Sequence, residues 1–206
     1  RLQRLVHWRD AEYYLACRRQ QVPVILLTPH FVGLDWGATS IGLHGITGAT
    51  MYSQQKRALV TDFLVKTRTR FAPNRLFSRQ DGIKPALRAL KELKLFYYLP
   101  DQDFGRKESI FVSFFGVQAA TIPALSRLCK VSGAVVVPCI PRRLPGGRGY
   151  EVRFYPPWDN FPSDEVQADT RRVNAFIEER VREMPAQYYW AHKRFKTRPE
   201  GEPAVY

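Results

Sequence analysis

The feature that most constrains this chain is a recurring change of period. Short apolar, β-branched or aromatic runs alternate with longer stretches whose apolar residues fall at helical spacing. Val22 to Thr28, Ala49 to Ser53, Leu95 to Leu99, Ile110 to Phe115 and Ala134 to Val137 read as strands. Arg1 to Gln20, Gly33 to His44, Gln55 to Arg70, Asp81 to Lys94, Ile122 to Ser132 and Val166 to Glu183 read as helices. Proline sets several boundaries: Pro23 opens the first strand, Pro29 bounds it, Pro100 stops the third, and Pro138 is expected to end or kink the fifth. Asp81 is the expected N-cap of its helix, with Pro85 in the first turn. A turn is expected at Gly116, and Pro145-Gly146-Gly147 with Gly149 predicts a hairpin leading into Tyr150 to Tyr155. Alternation of this kind calls for an α/β fold, a mixed and mostly parallel sheet flanked by helices. With no repeat, low-complexity tract or linker in 206 residues, a single domain over 1–206 is expected.

Charge narrows the partners. Lys and Arg outnumber Asp and Glu by 32 to 19, a formal net charge of +13, which points to an anionic partner. The bases gather at Lys66, Arg68 and Arg70; at Arg142, Arg143 and Arg148; and from His192 to Arg198. Cys17, Cys129 and Cys139 include no Cys-x-x-Cys pair, which argues against a disulfide scaffold or structural zinc and fits a reducing compartment. The longest apolar stretch, Val22 to Leu34, is interrupted and shorter than the ~20 residues a membrane span needs. Arg1 opens a charged segment with no signal-peptide core behind it, and without an initiator Met the chain reads as a fragment.

Chemistry concentrates where strands end, since open α/β sheets place ligands beyond the carboxyl ends of their strands. His30 and Asp35 follow the first strand. On one continuous helix five positions leave two side chains about 140° apart, so the two meet only with His30 on the loop and Asp35 in the first helical turn. Asp35 would then accept the Nδ1 proton and leave Nε2 as a general base. The alternative is a loop histidine beside an acid that favours the helix dipole. Pro100-Asp101-Gln102-Asp103 follows another strand and could bind a polar head group, orient a base or form a plain polar turn. Asp101 and Asp103 could touch a metal, but no further ligand cluster accompanies them. Arg79 suits a phosphate. The tail Gln187 to Phe195 interleaves aromatics with bases, for stacking on single-stranded nucleic acid, for a membrane interface, or for packing on the core. Gly-rich phosphate loops and Gly-x-Ser-x-Gly elbows are absent from the sequence, and it resembles no RRM or zinc finger.

Five blocks in order resemble the lipid A biosynthesis acyltransferases of the lauroyl/myristoyl type. They are His30-x-x-x-x-Asp35, Ser78 to Gly82, Leu99 to Asp103, Phe111 to Val117 with Ala119 to Thr121, and His192 to Pro199. The resemblance implies a glycerolipid-acyltransferase-like fold and transfer of a lauroyl or myristoyl group from acyl-carrier protein to a hydroxyl of a Kdo-lipid A precursor. It implies His30 and Asp35 as the catalytic dyad, and Gly33, Tyr52, Arg79, Asp101, Gln102 and Asp103 as substrate-binding residues. No cofactor, metal or nucleic acid is implied. The implied partners are carrier protein, lipid A precursor and the anionic surface of the bacterial inner membrane on its cytoplasmic face, with an N-terminal anchor lying outside this stretch. Many members carry Glu where Asp35 stands, the form commoner in glycerolipid relatives, so lysophospholipid acyl transfer is the alternative. A non-catalytic basic module that binds nucleic acid or membranes is the reading from another class; strongly salt-dependent nucleic-acid binding without acyl transfer would mark it.

Overall fold

The computed structural model describes residues 2–55 and 57–206. Its strands are β1 (Val6–Arg9), β2 (Val24–Leu27), β3 (Ala49–Tyr52), β4 (Arg75–Ser78), β5 (Leu95–Tyr98), β6 (Ile110–Phe114), β7 (Val117–Thr121), β8 (Val135–Arg143) and β9 (Tyr150–Phe154). Its helices are α1 (Glu12–Arg19), α2 (Leu34–Leu43), α3 (Ala58–Arg68), α4 (Lys84–Leu93), α5 (Ala124–Ser132) and α6 (Val166–Glu183). Seven strands form one sheet in the order β1-β9-β8-β2-β5-β3-β4. From β8 to β4 all neighbours are parallel; β9 runs antiparallel to β8, and β1 runs parallel to β9. This is the mixed, mostly parallel α/β sheet that the alternating periods predict.

Strand β2 shows why it sits at the centre. Val24, Ile25, Leu26 and Leu27 are all fully buried, because helices cover both faces of the sheet. Val24 and Leu26 join Leu95, Tyr97, Val137 and Cys139 against Tyr14 of α1 and Ile41 of α2. Ile25 and Leu27 join Phe96, Tyr98, Val136 and Ile140 against α4, α5 and α6. Each such side chain contributes about 1.5–3 kcal/mol through burial.

Four expectations need correction. The stretch 1–20 is not one helix: Val6 and Trp8 turn inward from β1, and Asp10, at a φ of 55°, breaks the chain before α1. Edge pairing with β9 there outweighs the helical spacing of Leu5, Trp8 and Leu15. Pro138 ends a pairing, not a strand. β8 pairs with β2 as far as Pro138 and with β9 from Cys139 onward, and the Pro138 carbonyl accepts from the Tyr155 amide. Asp81 caps back onto Ser78 around a short 3-10 turn, so α4 starts later, at Lys84, with Pro85 in its first turn as expected. Two strands lay outside the expectation: β4, and β7, which returns from β6 through Phe115 and Gly116, both at positive φ.

Helix α3 stands apart. None of its residues is fully buried; Thr61, Leu64, Val65 and Arg68 face the protein, while Leu59 and Phe63 are 80% and 65% exposed.

Candidate active site

Strand register builds the site. In the parallel β2–β5 pair Leu27 lies opposite Tyr98, and the Thr28 amide extends the pairing to the Tyr98 carbonyl at 2.8 Å. Three residues beyond each paired end come His30 and Asp101. They meet: His30 Nδ1 lies 2.7 Å from Asp101 Oδ1, and the His30 backbone amide donates to Asp101 Oδ2 at 2.9 Å. The position is a topological switch point, since the chain goes on from β2 to β3 and β4 on one side and from β5 to β8 on the other.

The C-terminal segment fixes this loop from outside. Tyr189 donates its amide to the His30 carbonyl at 2.9 Å, Val32 donates to the Gln187 carbonyl at 2.9 Å, and Phe31 bridges Tyr188. Of the tail readings, packing on the core holds for Tyr188 and Phe195. Arg194, which the sequence places in the last basic cluster, is 1% exposed and donates to the Ala120 carbonyl and Thr121 Oγ1, both at 2.6 Å.

Electrostatics favour an ionised carboxylate beside the ring. Burial pushes the Asp101 carboxyl upward, but the charge and hydrogen bonds of His30, with Arg194 behind them, outweigh it and bring the group down to about 2. A carboxylate that accepts from Nδ1 holds the His30 proton there and leaves the Nε2 lone pair free. Nε2 faces Gln102, whose amide nitrogen lies 3.2 Å away.

His30 lines a cavity of about 380 Å³ together with the polar side chains of Tyr52, Arg68, Arg79, Gln102 and Glu108 and the apolar side chains of Leu64, Ala86, Phe96, Ile122 and Leu128. A narrow apolar cleft adjoins it beneath α2, sharing Arg68, Tyr97 and Leu99 and lined further by Ala38, Ile41, Ala49 and Leu95.

Several expectations change here. Asp35 does stand in the first turn of α2, but its carboxylate is 71% exposed and pairs with Arg68 Nη2 at 3.2 Å. The acid against the His30 ring is Asp101, because neighbouring parallel strands deliver it from the same sheet edge while Asp35 turns toward α3. Gly33 is a packing residue and does not line the cavity: a Cβ there would come within 3.1 Å of the Pro141 backbone. Asp103 accepts from the Gly105 and Thr197 amides, tying the tail to the β5 loop. Tyr52, Arg79 and Gln102 do line the cavity, and Arg79 is paired with Glu108 while its guanidinium stacks 3.5 Å from the Phe104 ring centroid.

Two residues of the site were not singled out in the sequence: Arg68 stood only in a basic cluster, and His192 in a basic cluster, in the aromatic tail and at the head of the last of the five blocks. Arg68 joins through α3. His192 stands edge-on to His30 with ring centroids 4.4 Å apart, and burial followed by the His30 charge holds it down to about 4. Among the described residues no group of three or more His, Cys, Asp or Glu side chains comes together as a metal site. Cys129 and Cys139 are buried thiols that burial pushes up to about 12, and no cysteine lines the His30 cavity.

Comparison with known proteins fits the blocks noted in the sequence. The family model for bacterial lipid A biosynthesis acyltransferases matches residues 1–197. The chain is 34% identical over 207 residues to the lipid A biosynthesis lauroyltransferase of Escherichia coli K12, covering 98% of this chain and 67% of that protein. It is 36% identical over 202 residues to the lipid A biosynthesis myristoyltransferase of the same organism, covering 98% of this chain and 62% of the relative. The chain thus spans 62–67% of the length of these relatives. Among solved structures, the crystal structure of the 1-acyl-sn-glycerophosphate acyltransferase of Thermotoga maritima aligns with a TM-score of 0.47 at 16% identity, over 88% of this chain and 73% of that one. The match along nearly the whole sequence assigns the chain to the bacterial lipid A biosynthesis acyltransferase family.

Proposed function

We propose that this chain transfers a fatty acyl group, of the lauroyl or myristoyl class, from an acyl-carrier-protein thioester to a hydroxyl of a Kdo-lipid A precursor. The observation that carries the reading is the His30–Asp101 pair: a ring held at Nδ1 by a buried carboxylate, beside a cavity lined by both basic and apolar side chains.

In this reading the acceptor hydroxyl gives its proton to His30 Nε2 while its oxygen bonds to the thioester carbonyl carbon. Asp101 stabilises the imidazolium so formed. The tetrahedral intermediate then collapses, the C–S bond breaks, and the imidazolium returns the proton to the departing thiolate. Acyl transfer is direct and needs no serine or cysteine intermediate. Arg68 and Arg79 suit the phosphates of the acceptor. The apolar lining of the cavity and the cleft beneath α2 suit acyl chains.

The anionic inner-membrane surface belongs to the same reading, on its cytoplasmic face. It is supported by the net charge of +13 and by the outward stripe of α3, where exposed Leu59 and Phe63 lead to Lys66 and then, just past the helix, Arg70. No helix among the described residues is long and apolar enough to cross a membrane.

The test is an acyl-transfer assay with purified protein, labelled acyl-carrier protein, and either lipid A precursor or lysophospholipid. Transfer to the precursor is expected. Transfer to lysophospholipid alone would move the chain to glycerolipid chemistry.

A further inference from the structure

The proposed reaction uses one histidine, yet the site holds two. His192 sits beside His30 on a short turn of the tail, and that turn is tethered: the His192 amide donates to the Tyr189 carbonyl at 3.2 Å, and the Tyr189 amide to the His30 carbonyl at 2.9 Å. The Gln102 side chain reaches a nitrogen of each ring. Its amide nitrogen is 3.2 Å from His30 Nε2 and 3.5 Å from His192 Nδ1.

An amide nitrogen carries two hydrogens and accepts none, so both ring nitrogens facing it must act as acceptors. His30 can, because Asp101 occupies its Nδ1. His192 can only when neutral, with its proton on Nε2. That Nε2 is buried and has no hydrogen-bond partner among the described residues, so Gln102 is the only described hydrogen-bond partner of the His192 ring.

The arrangement creates a conflict for catalysis. The Nε2 lone pair of His30 cannot accept from Gln102 and from a substrate hydroxyl together. The amide must leave when the acceptor arrives, and a half-buried donor moved off its partner needs another where the incoming substrate displaces water.

We propose that Gln102 is a movable cap on the base nitrogen of His30, and that His192 is the acceptor to which the cap shifts when the substrate hydroxyl binds. His192 is then a positioning residue acting through Gln102, and it never exchanges a proton with substrate. The inference rests on His30 being the general base of the proposed function.

The test uses the purified enzyme in the transfer assay, with substitutions at His192, Gln102 and His30 and one combined variant. His192→Phe keeps the aromatic packing against His30 and Tyr189 but removes the acceptor. It should lower kcat/KM for the lipid acceptor roughly 5- to 10-fold, in line with the loss of one hydrogen bond by a half-buried donor, and leave KM for the acyl donor unchanged. His192→Asn, whose Oδ1 can stand near the position of Nδ1, should restore most of the loss. In a Gln102→Met background His192→Phe should cost nothing further, because the group it receives is gone. Should His192→Phe fail to fold by thermal melting, His192→Leu removes the same acceptor in a smaller volume.

Equal losses with and without the Gln102 amide would show a merely structural role and overturn the proposal. So would full activity of His192→Phe or His192→Leu in an enzyme that His30→Ala inactivates. Unchanged turnover in a folded His30→Ala protein would instead overturn the general-base reading beneath it.

Discussion

Two of the acid–base pairs at the cavity, His30–Asp101 and Arg68–Asp35, differ in nearly every physical respect. His30 and Asp101 are 14% and 0% exposed in their side chains, and the carboxylate is held by two hydrogen bonds, at 2.7 and 2.9 Å. Arg68 and Asp35 are 26% and 71% exposed and share one contact of 3.2 Å. The first pair joins residues 71 positions apart, the second residues 33 apart. The contrast shows that nearness along the chain is a poor guide to partnership when parallel strands are present. A sheet register carries residues from distant loops to one edge, and burial then makes the pair count. Removing one partner of a buried pair leaves an uncompensated group in a place water does not reach. An exposed pair is largely screened.

The sharpest way to break this comparison is His30→Ala. Loss of a general base typically costs ~100- to 10,000-fold. The buried Asp101 carboxylate loses its ring partner but keeps the backbone amide of residue 30, so the variant should fold with stability lowered by about 1–3 kcal/mol. Single-turnover transfer together with a thermal melt reads both quantities.

Asp101→Asn comes next, with a double effect. An asparagine has one acceptor oxygen where Asp101 serves two donors, the His30 ring and the His30 amide. One buried donor would face an amide hydrogen, which costs about 1–3 kcal/mol of stability. The tautomer control and the negative charge beside the imidazolium disappear as well, so kcat should fall at least ~100-fold. Urea melts beside the transfer assay test both halves, and a stable Asp101→Asn enzyme with normal kcat would dissolve the pair.

How far could the sequence have led to this pair? The helices α2, α5 and α6 and the strands β2, β3, β5 and β9 are legible because period and punctuation agree there. β7 is hidden because Gln118, Ala119 and Ala120 lack β-branched or aromatic character; the two-residue reversal Phe115-Gly116 was its signal. β1 is hidden because Val6 and Trp8 satisfy a helical period nearly as well as an alternating one. For the site, His30, Tyr52, Arg79, Asp101 and Gln102 could be located from strand ends and from the resemblance. Their pairing could not, because it depends on which strand lies beside β2. His192 and Arg194 look like a basic tail in sequence, and what turns that tail inward is its pairing with the loop after β2, through the Phe31–Tyr188 bridge and the Tyr189–His30 and Val32–Gln187 hydrogen bonds.

Acid stability separates the buried groups with a smaller effect. In the folded protein the Asp101 carboxyl is brought down to about 2 from the usual 3.8, so its contribution is present above pH 3.8 and is lost as pH falls toward 2. His192 is lowered to about 4 from 6.5. The unfolded chain therefore takes up this proton first, and stability declines as pH falls from 6.5 to 4. Denaturant melts across both windows should show two steps in the wild type. His192→Asn should lack the upper step and keep the lower one. An unchanged upper step would assign it to another group.

The smallest expected effect is at Asp35, and it decides which acid belongs to the base. Asp35→Asn removes a mostly exposed charge from a single-contact pair, so stability should change by no more than about 1 kcal/mol and less at high salt. The His30 proton stays on Nδ1, since Asp101 holds it, so kcat should fall less than about tenfold, on the order of one lost hydrogen bond. What changes is Arg68: freed from Asp35, its guanidinium stands unopposed where the cavity and the cleft beneath α2 adjoin. Acceptor KM should therefore stay level or fall in low salt. Steady-state kinetics of Asp35→Asn and Asp101→Asn side by side give the answer. If the Asp35 variant loses as much kcat as His30→Ala while Asp101→Asn keeps its turnover, the ring must exchange partners during catalysis, and the ordering of the two pairs reverses.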